Sequence, residues 1–358
     1  MKILPVIMCG GNGSRLWPIS TKNIPKQFIK FFDNDKSLLQ LTVLRFQDQD
    51  KFLPPIFLTN HLYLDCLKNQ LSEIGIKNPT ILVEPCVKNN APAITIASLY
   101  LKDKNINNPI LIIPSDAYIE NFEYFLTAFN ESIDYLNNND SFILFGIKPT
   151  YAETGFGYIK PIKNENNSIQ KIETFLEKPN KDNAELFIKN GCLWNSGIFM
   201  FNANTYLSEI KKYDADLYNN AIKTYSNSIF KNNLLLIDKD DYSNFNSISI
   251  DYAVIEKTNL ASVIMIKNSN WSDVGSFDAI YNLSKKDENN NVITGNVIAL
   301  NCKNCYIYSN DTSLLAVANI QNQIIIKSNG VYLNISLTTS QDVKLFNEKL
   351  LGREDKCY

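Results

Sequence analysis

Residues 3 to 18 read ILPVIMCGGNGSRLWP, from Ile3 to Pro18, and no other stretch constrains this chain as much. The apolar opening makes a short buried strand, and a glycine-rich turn carrying Arg15 follows at once. Gly10, Gly11 and Gly13 let the backbone bend tightly and turn several N–H groups toward one point. Inward-facing N–H groups with an arginine beside them form a cradle for phosphate, so this turn is expected to hold a nucleotide triphosphate.

Two better-known glycine loops are excluded. The dinucleotide fingerprint needs a third glycine where Leu16 stands. The phosphate loop of NTPases needs Lys-Ser or Lys-Thr after its glycines, and none follows here. What remains is G-G-x-G-x-R-L with Pro25-Lys26-Gln27 a short way on. Pro25 restricts the backbone before Lys26, whose ammonium can neutralise a triphosphate; a solvated surface lysine is the plainer alternative.

Working outward, apolar runs recur at Ile56–Thr59, Thr80–Val83, Ile110–Ile113 and Phe142–Phe145, alternating with helical patterns at Ser37–Phe46, His61–Ile74, Ala91–Leu101 and Phe122–Leu136. That alternation predicts an α/β fold: a Rossmann-like mixed, mostly parallel sheet flanked by helices. Ligands of such sheets sit beyond the carboxyl ends of the strands, where the glycine turn and Asp116 fall. Gly157–Ile162 and Ile169–Phe175 read as strands around an Asn-rich turn at Glu165–Ser168, Leu193–Phe201 as a further strand, and Asp214–Ser226 as a helix. After the polar linker Lys285–Asn291 come short β segments at Val292–Leu300, Tyr306–Tyr308, Leu314–Val317, Gln323–Ile326 and Val331–Asn334. Their spacing predicts a small β-roll or β-helix-like domain closed by a helix at Ser340–Leu350. The expected division is therefore 1–285 for the catalytic domain and 286–358 for the C-terminal one.

Composition narrows the partners. A net charge of −2 over 358 residues gives no sequence-independent grip on nucleic acid or on an anionic membrane. No apolar run is long enough to span a bilayer, and Met1-Lys2 leads straight into a core strand without a cleavage signal. Seven scattered cysteines, an odd number, point to reduced thiols in the cytoplasm. Cys302-x-x-Cys305 stands alone without a second pair, and the single histidine, His61, opens a helix where a surface or capping role suits it.

The chemistry concentrates in a few places. Asp116 in Pro114-Ser115-Asp116 and Asp273 in Trp271-Ser272-Asp273-Val274-Gly275 each follow an apolar strand. Mg²⁺ on nucleotide phosphates is held by one or two carboxylates, and these two aspartates fit that need; alone, each serves as readily as a cap or turn former. Glu177-Lys178-Pro179 offers a carboxylate for sugar hydroxyls and an ammonium for a phosphate. Asn195 in Trp194-Asn195-Ser196-Gly197 can both accept from and donate to hydroxyls. Thr154-Gly155-Phe156-Gly157 brings backbone close to a ligand.

The succession CGGNGSRLWP, PKQF, EPCVKNNAPAI, PSD, ETGFGYI, FLEKP, LWNSGIF, SIDYAVIEKT, WSDVGSFD and SQDV resembles the bacterial mannose-1-phosphate guanylyltransferases of the nucleotidyltransferase superfamily, over essentially the whole chain. The resemblance implies transfer of GMP from GTP to mannose 1-phosphate with Mg²⁺ as cofactor. It implies that Gly10, Gly11, Gly13, Arg15 and Lys26 hold the triphosphate, and that Glu84 and Asn90 lie near guanine. Asp116 and Asp273 would hold Mg²⁺. Gly157, Glu177, Asn195 and Asp251 would meet the sugar, and Lys178 its phosphate.

Three departures stand out. The family's Gly-Arg-Asn-Thr appears here as Val87-Lys88-Asn89-Asn90, which exchanges an arginine fork for a lysine. Its Pro-Ala-Asp-His appears as Pro114-Ser115-Asp116-Ala117, without the histidine. Many relatives continue into an isomerase domain, and this chain ends at Tyr358, so transferase activity alone is expected. The rival readings are a transferase of the same fold for another sugar 1-phosphate, such as a heptose, or another NTP, and a non-catalytic regulator that binds nucleotide sugar. Unpaired edges on the C-terminal β segments point to a homodimer.

Overall fold

The computed structural model describes residues 1–11, 14–32, 35–164 and 167–351. Gly13, and Glu165 and Asn166 at the start of the turn expected at Glu165–Ser168, lie outside the described residues. The chain divides into two compact units. One comprises Met1–Gly10, Val43–Ser115 and Ile119–Trp271; the other comprises Gly11–Thr42, Asp116–Tyr118 and Ser272 onward. The position expected for a domain boundary, 285/286, thus falls inside the second unit.

The first unit is built on an eleven-stranded sheet. Its order runs Ile229–Lys231, Leu234–Leu236, Thr80–Glu84, Ile56–Asn60, Leu4–Met8, Ile110–Pro114, Leu193–Phe201, Phe142–Ile147, Ala261–Ile266, Ile169–Leu176 and Tyr158–Pro161. The strands from Leu234 to Ile110 in that order are parallel, because helices such as Leu64–Glu73 and Asn90–Asp103 carry the chain back between them. Their residues are almost uniformly buried, as a sheet covered on both faces requires. From Tyr158 onward the sheet is less parallel than expected. Tyr158–Pro161 and Ile169–Leu176 pair antiparallel through a short connection with no crossover helix, and Leu193–Phe201 runs antiparallel to Ile110–Pro114, Phe142–Ile147 and Tyr158–Pro161. Leu193–Phe201 therefore touches three strands, and this places Asn195 beside Gly157.

The helix at Phe122–Leu136 matches its pattern, and Asp214 caps Ala215–Asn227 by accepting from the Leu217 N–H at 2.9 Å. Among the described residues no helix is long and apolar enough to cross a membrane.

The second unit has its own core, in which Leu16, Ile19, Val274, Phe277 and Ile280 pack with Tyr306 and Ile324. Its short strands Val292–Gly295, Tyr306–Ser309 and Gln323–Ser328 stack in parallel, as do Val297–Leu300 and Leu315–Ala318. Side-chain amides repeat the stacking: Asn301 donates to Asn319 and Asn304 to Asn322, each pair eighteen residues apart and at 3.1 Å. A closing helix follows at Val343–Leu351. Cys302 and Cys305 are buried here, and their thiols donate to backbone carbonyls.

Candidate active site

Within the second unit, Lys26 opens a single helical turn, Lys26–Phe28, directly after the extended Pro25. Its side chain is only 10% exposed, and its ammonium stands 3.1 Å from Asp116 Oδ2. The same ammonium donates to the backbone carbonyl of Asp273. One lysine thus joins the two aspartates, contacting one through its carboxylate and the other through its main chain. Asp273 Oδ1 accepts from the Gly275 N–H at 3.2 Å. The donor set around this ammonium is oxygen throughout, which suits a hard cation such as Mg²⁺. Among the described residues no group of three or more His, Cys, Asp or Glu gathers to hold a metal without help.

Arg15 lies exposed on the short turn Ser14–Leu16. Gly11 has φ +119°, a conformation that L side chains rarely adopt, so the residue there is required by the backbone. Gly10 has no such need, since a Cβ on it would meet open space.

Within the first unit, the residues expected to meet a sugar phosphate form one connected cluster. The Asn195 N–H donates to the Gly157 carbonyl at 2.8 Å. The Asn195 side chain accepts from the Gly197 N–H at 3.1 Å and donates to Asp251 Oδ1 at 3.0 Å. One N–H and one lone pair of that amide remain, a donor and an acceptor side by side. Gly157 packs so closely that a Cβ there would lie 2.5 Å from Glu177 Oε2 and 2.9 Å from Phe175 Cζ. Glu177 Oε1 accepts from the Lys178 ammonium at 2.7 Å. Lys178 has φ +47°, and its N–H donates to the Phe156 carbonyl at 3.2 Å.

The electrostatics follow from burial. Burial, and then the neighbouring Glu177 carboxylate, push the Asp251 carboxyl up to about 7; the Ser249 hydroxyl and Lys178 oppose this. At Lys178 burial disfavours the charge, but the hydrogen bond and charge of Glu177 outweigh it and hold the ammonium above its ordinary value.

Glu84 and Asn90, expected near guanine, are each hydrogen-bonded within the first unit. Glu84 ends the strand Thr80–Glu84 and is buried, with Oε1 accepting from the Tyr242 hydroxyl at 2.5 Å. Burial raises its carboxyl to about 7 against the lowering effect of that hydroxyl. Asn90 Oδ1 accepts from the Ile250 N–H at 2.7 Å, one residue before Asp251. Lys88 and Ala91 exchange backbone hydrogen bonds with Ile248 at 3.2 Å. The segment Lys88–Ala91 is therefore stitched to Ile248–Ile250, and Asn90 braces the turn that carries Asp251. The Lys88 ammonium donates to the Ser243 carbonyl at 2.6 Å.

Sequence reasoning missed Tyr242, Ser249 and the aromatic residues beside Gly157. Phe156 meets Trp194 and Trp271 edge-on, with ring centroids 5.2 and 5.6 Å apart, and Tyr151 meets Trp194 at 4.9 Å. The signal available was adjacency: Trp194 and Trp271 each lie within two residues of a singled-out Asn or Asp.

Comparison with known proteins gives the family. The nucleotidyl transferase family matches residues 4–290. This chain belongs to that family. It is 37% identical over 349 residues to the mannose-1-phosphate guanylyltransferase of Escherichia coli, covering 96% of this chain and 74% of that one. The xanthan biosynthesis protein XanB of Xanthomonas campestris pv. campestris is 34% identical over 343 residues, covering 96% and 72%. Within the nucleotidyl transferases the chain thus falls in the mannose-1-phosphate guanylyltransferase branch. Among solved structures, the mannose-1-phosphate geranyltransferase of Thermus thermophilus superposes with a TM-score of 0.82 at 23% identity, over 98% of this chain and all of that one. That likeness speaks to the fold.

Proposed function

We propose that the chain transfers GMP from GTP to α-D-mannose 1-phosphate, giving GDP-mannose and pyrophosphate. A phosphate oxygen of the sugar attacks the α-phosphorus of GTP in line; the bond to the bridging oxygen breaks and pyrophosphate leaves with that electron pair. No covalent enzyme intermediate is required. The protein contributes position and charge. Arg15 and Lys26 neutralise the triphosphate, with the turn at Gly10, Gly11 and Gly13 supplying N–H donors. Lys178 receives the sugar phosphate, which competes with Glu177 for its ammonium. The remaining donor and acceptor of Asn195 suit adjacent sugar hydroxyls, with Glu177, Asp251 and the Gly157 backbone around them. Asp116 and Asp273 would hold Mg²⁺, which when bound supplies further neutralisation of phosphate charge. Glu84 and Asn90 serve guanine recognition through the frame they support.

What carries this reading is the connected cluster of Gly157, Glu177, Lys178, Asn195 and Asp251, five residues drawn from distant parts of the chain. The C-terminal strands, with amides stacked at an eighteen-residue interval, support a β-helix-like domain, and the end strands of its four-stranded sheet, Val292–Gly295 and Val331–Ser336, favour a homodimer. The described cysteines are free thiols, in keeping with a cytoplasmic enzyme that makes precursors for polysaccharide synthesis.

Pyrophosphate release, measured with Mg²⁺ and a panel of NTPs and sugar 1-phosphates, tests the reading. GTP with mannose 1-phosphate should exceed every other pair in kcat/KM by at least about tenfold. Faster turnover of a heptose or glucose 1-phosphate, or of another NTP, would replace the substrate assignment. GTP binding without any turnover would leave only a regulatory role.

A further inference from the structure

Many residues of this chain adopt left-handed backbone, and among the described non-glycine residues all but two are Asn or Asp. Those types tolerate that conformation. The exceptions are Lys178, inside the sugar-phosphate cluster, and Val274, with φ +50°. A β-branched residue in this region is a true outlier, and such outliers persist only where surrounding structure holds them. Val274 is held: its side chain is completely buried in the core of the second unit, with Leu16, Ile19 and Phe277.

The corner that Val274 makes determines how Asp273 is presented. Before it, the Ser272 hydroxyl accepts from the Val274 N–H at 3.1 Å. After it, the Gly275 N–H donates to Asp273 Oδ1 at 3.2 Å, and any Cβ on Gly275 would collide with Asp273 Oδ2. The Asp273 carbonyl meets the Lys26 ammonium, which also pairs with Asp116. Both polar ends of Asp273 are thus oriented by the turn on either side of Val274. What orients Asp273 is the left-handed corner itself: packing holds a valine in it, an asparagine would adopt it unaided, and a glycine would leave it free.

The geometry points to Val274 as a positioning residue: its left-handed backbone, held in place by core packing, fixes Asp273 for a divalent cation. This rests on the assignment of Asp116 and Asp273 to Mg²⁺. Groups that orient metal ligands are worth about 10- to 100-fold in metal affinity.

The test titrates Mn²⁺ into the full chain with GTP and no sugar phosphate, reading loss of the free-ion paramagnetic resonance signal against a GTP-only control. Thermal unfolding is followed in parallel. Val274→Gly frees the corner and should weaken binding at least about tenfold. Val274→Asn accepts the left-handed conformation without strain, so it should bind within about twofold of wild type even as its unfolding temperature drops. Affinity that follows backbone conformation and not stability supports the inference. It is overturned if folded Val274→Gly binds like wild type, or if Val274→Asn loses as much affinity as the glycine variant. Should Val274→Gly fail to fold, Val274→Ala, which also loses the packing and disfavours left-handed backbone, takes its place with the same expected loss and the same overturning result. Asp116→Asn and Asp273→Asn separate the two levels: if neither weakens Mn²⁺ binding, the metal assignment is wrong and the role of Val274 goes with it.

Discussion

Gly157→Ala is the most direct probe of the cluster proposed to bind the sugar phosphate. Gly157 does not have left-handed backbone, so alanine brings no conformational penalty and the whole effect is steric. The new methyl would lie 2.5 Å from Glu177 Oε2, whereas ordinary contacts begin at 3.4 Å, so the carboxylate must retreat by about 1 Å. Phe175 Cζ, at 2.9 Å and part of a buried ring, must give by about half an ångström. Overpacking of this kind costs about 1–3 kcal/mol of stability. Displacing a substrate-positioning carboxylate by about 1 Å costs about 100-fold in turnover efficiency. Steady-state pyrophosphate release should therefore show kcat/KM for mannose 1-phosphate falling by about that factor, with KM for GTP unchanged. Circular dichroism at the assay temperature checks that the variant is folded. A folded Gly157→Ala enzyme with wild-type kcat/KM for the sugar phosphate would refute the placement of Glu177 and Gly157 at the substrate.

Two further predictions concern buried carboxyls. The Asp251 carboxyl is raised from 3.8 to about 7, so the native state holds a proton that the unfolded chain releases, and the stability this group supplies at low pH is lost as pH climbs from about 4 to about 7. Asp251→Asn should therefore be more stable than wild type at pH 8, by on the order of 4 kcal/mol at most, with the gap narrowing toward pH 5 in urea unfolding; a gap independent of pH would contradict the titration. Tyr242→Phe removes the hydroxyl from buried Glu84, which should raise that carboxyl further above about 7 and lower stability by about 1–3 kcal/mol, more at pH 8 than at pH 6. Equal losses at both pH values would show that Glu84 stays neutral throughout.

The run from Ile3 to Pro18 and the alternation of apolar runs with helical patterns were enough to place most elements, because strands buried on both faces must be short continuous apolar runs and helices must repeat their apolar face about every 3.6 residues. Lys26, Glu177, Lys178 and Asn195 stand out as candidates only through the order of their motifs, because each residue type alone serves as readily on an ordinary surface or turn. What the sequence could not determine is which groups meet. That one ammonium joins Asp116 to Asp273, that Asn90 braces the turn before Asp251, and that Tyr242 holds Glu84 are contacts across long stretches of chain. Their formation depends on the whole sheet and core, not on neighbours along the backbone. The left-handed valine at 274 is the plainest case. Its own preferences oppose that conformation, and only packing in a finished core can hold it there.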